Sequence, residues 1–116
     1  MIILSGLKSC GSCKKALTWL NESGIQHTWR DVKKDGVDSQ RLDHWLAKAG
    51  WETLLNRKGT TWRTLPEDKK TNLDEAKARA LMDENMSIVK RPIWEFPEGR
   101  VMVGFDQTVQ DEISKI

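Results

Sequence analysis

The chain has 116 residues, enough to bury one hydrophobic core without staples, and 38% hydrophobic residues with six tryptophans predict a folded single domain, residues 1–116. Nineteen basic and seventeen acidic residues are well mixed, and the net charge of +2 is too small to predict a direct nucleic-acid partner. No run approaches the length of a membrane span, and Met1-Ile2-Ile3-Leu4 is too short for a secretory signal, so a reducing cytoplasm is the expected compartment.

The first element in the chain is the apolar run Ile2-Ile3-Leu4, suited to a buried strand. A turn containing Gly6 leads into Ser9-Cys10-Gly11-Ser12-Cys13-Lys14-Lys15, and then Ala16, Leu17 and Leu20 fall on one face of a helix. This order places Cys10 at the helix N-terminus and Cys13 one turn inside it. The free N–H groups and dipole of that terminus favour a thiolate at Cys10. The helix ends near Ser23-Gly24, where Gly24 can take the left-handed conformation. Residues 25–32 alternate partially and read as a second strand, parallel to the first across a right-handed crossover.

After a turn at residues 33–36, Asp38 is a candidate cap for a helix carrying Leu42, Trp45, Leu46 and Ala49 at i, i+3, i+4 and i+7, stopped by Gly50. Residues 51–55 predict one more helical turn, and 56–63 are polar, basic and loop-like. Pro66 suits the first turn of a short helix. Asn72 and Glu75 have capping-box spacing, opening a helix to about Asp83 with Leu73, Ala76, Ala80 and Leu81 inward. The segment 87–94 leads into a strand, and Val101 to Gly104 forms another, joined through a hairpin at Pro97-Glu98-Gly99. Asp106 is placed to cap a last helix with Val109, Ile113 and Ile116 inward. The predicted class is α/β: a thioredoxin-like core (βαβ … ββα, about 1–32 and 88–116) with a helical insertion at about 33–87.

Two thiols three residues apart can cycle between dithiol and disulfide. Two other readings stand beside that one: half of a zinc site, or two small core residues. His27 and His44, the only histidines, lack the spacing of a zinc pair, so no metal is expected. The strand–loop–helix setting favours redox use.

Ser-Cys-Gly-Ser-Cys-Lys-Lys-Ala, Leu-Asn-Arg-Lys-Gly-Thr-Thr-Trp-Arg, Val-Lys-Arg-Pro-Ile and Val-Gly-Phe together resemble the ArsC/Spx family, and most of all its YffB-type branch. The resemblance covers essentially the whole chain. It implies a thioredoxin-like fold with Pro92 cis beside the cysteine loop. Cys10 matches the nucleophile of the family's arsenate reductases, and Arg91 matches one of their oxyanion-binding arginines. Arg57 matches another, with Asn56 as the competing alignment. The third arginine is absent near Val103-Gly104, and a histidine found four residues before the nucleophile in some of those reductases is Gly6 here. These losses point away from arsenate as substrate, because a tetrahedral oxyanion needs several converging donors.

YffB-type proteins suggest a glutathione-linked thiol reductase. Spx-type regulators carry C-x-x-C as a redox switch and bind RNA polymerase. The first reading gives Cys10 as nucleophile, Cys13 or glutathione as resolving thiol, and Arg91, Arg57 and Lys14 as anion- or glutathione-binding groups. Each of those three cations is equally readable as a surface or ion-paired charge. Trp62 is readable as a cover for the cysteine cleft or as a packed lid on a helix. A monomer is expected, with no bound cofactor, glutathione as co-substrate, and glutathione or a thioredoxin- or glutaredoxin-type protein as reductant.

Overall fold

A computed structural model describes residues 1–116. Strand β1 (Ile2–Gly6) runs into helix α1 (Gly11–Glu22) and parallel strand β2 (His27–Asp31). Five helical segments follow: α2 (Ser39–Ala49), α3 (Trp51–Leu54), α4 (Thr60–Thr64), α5 (Glu67–Lys70) and α6 (Glu75–Glu84). A 3-10 turn at Met86–Ile88 leads to β3 (Ile93–Glu95), β4 (Val101–Val103) and α7 (Gln107–Ser114). The sheet order is β2-β1-β3-β4, with β3 antiparallel to both β1 and β4. This is the thioredoxin-like α/β arrangement expected from the order of elements. No helix is long and apolar enough to cross a membrane.

Strand periodicity divides the apolar residues between two faces of the sheet. Ile2, Leu4 and Trp94 pack with Ala16 and Leu20 of α1 and Val109 and Ile113 of α7. Ile93 and Val101 belong to the opposite face, where Leu42, Trp45 and Leu46 of α2 meet Leu54, Leu55, Ala78, Leu81 and Met82. The insertion is therefore a cover for one face of the sheet. It is pinned there by an ion pair from Arg41 of α2 to Glu95 of β3.

Capping accounts for several boundaries. Asp38 Oδ1 accepts the Arg41 N–H at 2.8 Å, and Asp106 Oδ1 accepts that of Val109 at 2.9 Å, as the sequence predicts. Gly24 ends α1 at φ 67, where a Cβ is disfavoured. Removing the α2 cap by Asp38→Ala should lower stability by about 1 kcal/mol in a denaturant titration. A change within error would mean that packing of Leu42, Trp45 and Leu46 alone sets the start of that helix.

Four local expectations are corrected. The cap of α6 is Asp74, whose Oδ1 accepts the Lys77 N–H at 2.8 Å, while Asn72 lies two residues upstream at φ 52. An ionised carboxylate complements the helix dipole better than an amide. The buried face of α6 is Ala78, Leu81 and Met82; Ala76 and Ala80 are exposed. Alanine is too small to define a face against Leu and Met. The second half of the predicted loop at 56–63 enters α4, whereas the segment 87–94 leads into β3 as expected, by way of the 3-10 turn. Finally, α7 ends at Ser114, so Ile116 leaves the helical face and is 65% exposed.

Candidate active site

The turn after β1 is closed by the Cys10 N–H donating to the Leu7 carbonyl at 3.0 Å, which sets Cys10 as the N-cap residue of α1. Its backbone is extended there (φ −79, ψ 126), the geometry in which a cap side chain faces the first free N–H groups. The sulfur makes no capping hydrogen bond of ordinary geometry, so those N–H groups act on it through their field. Burial of Cys10 opposes ionisation, but it is outweighed by the N–H groups of Cys13 and Ser12, the neighbouring Cys13 thiol and the Arg91 side chain. The net result is a Cys10 pKa below the ordinary thiol value.

Cys13 is the opposite case. It has no exposed surface, and burial pushes its pKa up to about 12; the Leu7 N–H works against that rise and the negative charge of Cys10 adds to it. Both cysteines are free thiols. One turn of helix thus holds a partly exposed thiol of lowered pKa beside a sealed one whose pKa is raised.

Cys10 opens into a cavity of about 260 Å³ that it shares with Ser12, Asn56, Lys90, Arg91 and Gly104. An isolated antiparallel bridge between Leu55 and Val89 assembles this lining from distant segments. The Asn56 N–H donates to the Ile88 carbonyl and the Lys90 N–H to that of Leu54, both at 2.7 Å. Asn56 and Lys90 each follow a bridge residue, so they arrive together. Asn56 Oδ1 accepts the Lys58 N–H at 3.1 Å, an Asx turn that holds the amide in place.

Arg91 precedes Pro92 across a cis peptide bond. Its Nη1 donates to the carbonyls of Ser87 at 3.2 Å and Val89 at 3.4 Å, leaving a buried Nε with no acceptor in the protein. Because Arg91 favours the Cys10 thiolate, Arg91→Met should raise the Cys10 pKa. The curve of alkylation rate against pH should then move to higher pH, and reaction at neutral pH should slow. An unmoved curve would assign the low pKa to the helix N–H groups and the Cys13 thiol.

The structure brings Cys10, Cys13 and Arg91 together, and it places two of the other expected cations elsewhere. Arg57 lines a separate cavity of about 430 Å³ with Glu52, Leu55, Lys58 and Lys90. Its guanidinium stands 5.9 Å from the Trp51 ring and 6.0 Å from the Trp62 ring, a cation–π clamp. Asn56, the competing alignment, takes the place beside Cys10. Lys14 is exposed on α1 and does not line the cysteine cavity. Trp62 packs against the core of the insertion and is likewise absent from that lining.

Sequence reasoning missed Lys90, Ser12 and Gly104 as lining residues. Lys90 lies beside Arg91 in the Val-Lys-Arg-Pro stretch, which is the one available signal. Gly104 carries none, because the Trp94 indole N–H that binds its carbonyl at 2.6 Å comes from another strand.

Residues 6–114 match the ArsC family. Similar proteins include an uncharacterized protein of Haemophilus influenzae, 38% identical over 92% of this chain and 93% of its own length. The global transcriptional regulator Spx of Lactococcus lactis is 31% identical over 92% of this chain and 81% of its own. Among solved structures, the YFFB protein superposes with a TM-score of 0.90 at 43% identity, covering 97% of this chain and 98% of that one.

Proposed function

The chain belongs to the ArsC family, and from that premise we propose that it is a glutathione-linked thiol–disulfide reductase with Cys10 as nucleophile. The observation that carries this reading is a partly exposed Cys10 with a lowered pKa at the mouth of an open cavity containing Arg91 and Lys90. The Cys10 thiolate attacks the glutathione sulfur of a mixed disulfide. The substrate sulfur leaves as a thiolate and takes a proton from solvent. Cys13 then attacks the Cys10 sulfur of the resulting mixed disulfide, and the displaced glutathione thiolate takes a proton, leaving a Cys10–Cys13 disulfide. Alternatively, the thiolate of a second glutathione attacks the glutathione sulfur, displaces the Cys10 thiolate and leaves glutathione disulfide. Further glutathione reduces the protein disulfide.

In this reading Arg91 pairs with a carboxylate of the tripeptide through its remaining donors. Arg57, Lys58 and Lys90 in the neighbouring cavity are suited to a second carboxylate farther from the sulfur. Arsenate is the weaker candidate substrate. Only one arginine reaches the Cys10 cavity, and an oxyanion of that shape calls for several converging donors.

The test is turnover of a glutathionylated small thiol with glutathione and a recycling reductase, with mass spectrometry of the trapped enzyme. Glutathione should add to Cys10 and be lost in each cycle. Absence of the adduct, with Cys10 titrating normally, would sink the reading. A second reading rests on the C-x-x-C and the likeness to Spx: a redox-sensing module that binds RNA polymerase. It predicts polymerase binding that differs between dithiol and disulfide forms, with little turnover.

A further inference from the structure

Gly6 ends β1 directly against the second thiol. A Cβ built on Gly6 would lie 2.4 Å from the Cys13 sulfur, closer than any real non-bonded contact, and 3.3 Å from Cη2 of Trp29. The Gly6 backbone is not left-handed, so any L-residue suits its conformation and the obstacle is space alone. Gly6 is also held in place: it pairs with Asp31 across the sheet, and its carbonyl accepts the Val32 N–H at 2.9 Å. Cys13, fully buried on α1, has no open side to retreat to.

We propose that Gly6 is a positioning residue for the dithiol: by carrying no side chain it reserves the space in which the Cys13 sulfur lies beside Cys10. In this chain the residue at position 6 thereby decides whether Cys13 can act beside Cys10. The inference rests on the reductase reading above and adds to it. In the resolving step, Cys13 gives up its proton and its sulfur attacks that of Cys10. The Cys10–S–R bond breaks, the Cys10–Cys13 bond forms, and RS⁻ leaves and is protonated. Access to Cys13 from outside is closed, so only a correctly placed Cys13 sulfur can do this, and a Cβ at position 6 displaces it.

The experiment uses four full-length proteins: wild type, Gly6→Ala, Cys13→Ala and the double variant. Cys10 is loaded with a chromogenic aromatic thiol as a mixed disulfide, and release of the coloured thiol is followed without added reductant. Wild type should release it, and Gly6→Ala should release it on the order of tenfold to a hundredfold more slowly, the penalty of a misplaced reacting atom. The unfolding midpoint should fall on Gly6→Ala when Cys13 is present and stay unchanged when residue 13 is alanine, because the clashing sulfur is then gone.

Release from Gly6→Ala at the wild-type rate would overturn the proposal. So would an equal fall in midpoint in both backgrounds, which would place the effect at Trp29. If wild type releases no thiol, resolution by Cys13 fails as part of the reductase reading. The four midpoints then still decide whether Gly6 and Cys13 are coupled.

Discussion

Cys10→Ser should suppress reaction of the native protein with iodoacetamide or glutathione disulfide at neutral pH, even though a cysteine remains three residues away. Reactivity follows the thiolate, and a group with a pKa of about 12 is ionised at pH 7 to only about one part in 10⁵. Removing Cys10 also removes the negative charge that adds to the rise at Cys13, but burial, the larger cause, stays. A sulfur with no exposed surface is in addition closed to a bulky reagent. The native labelling rate should therefore fall by at least about three orders of magnitude and return when the protein is unfolded. The reciprocal Cys13→Ser protein should label readily at Cys10. Similar rates for the two single variants would contradict the division of roles between the thiols.

Trp94→Ala should be the most damaging change outside the cysteine loop. Trp94 has no exposed surface, sits on the β1-facing strand β3, and contacts the Phe105 ring at 6.0 Å between centroids. Truncation leaves a cavity between the sheet and helices α1 and α7, a loss of about 3–5 kcal/mol. A domain with roughly 5–15 kcal/mol of total stability would be left marginal by such a loss. The same residue holds the carbonyl of Gly104, which lines the Cys10 cavity. Trp94→Phe keeps most of the volume while removing that bond and part of the ring, so its cost should be smaller, about 1–3 kcal/mol. Chemical denaturation of the three proteins separates the two contributions. Equal losses for Phe and Ala would mean that the hydrogen bond stabilises the fold more than the packing of the ring does.

The sequence alone carried whatever depends on neighbours in the chain. Strand, tight turn and amphipathic helix around Cys10 are local patterns, as are the caps at Asp38 and Asp106, and they sufficed for the element order and the fold class. The resemblance to the ArsC/Spx family added the pairing of Arg91 with the cysteine loop. The α6 cap failed because Asn72 and Asp74 both satisfy a local rule, and it is the Asp74 carboxylate, which complements the helix dipole better, that accepts the Lys77 N–H.

Only the tertiary structure decided the rest of the site. Whether Asn56 or Arg57 faces Cys10 depends on the Leu55–Val89 bridge, a contact between segments more than thirty residues apart. The strand pairing that delivers Gly104 to the cavity is equally invisible in a linear pattern. The unequal acidities of Cys10 and Cys13 have the same origin. Their spacing places both on the first turn of a helix, but burial against Gly6 at the end of β1 is what keeps one of them protonated. Desolvation depends on everything that surrounds a group in space, and that is settled only when the strands and helices close on one another.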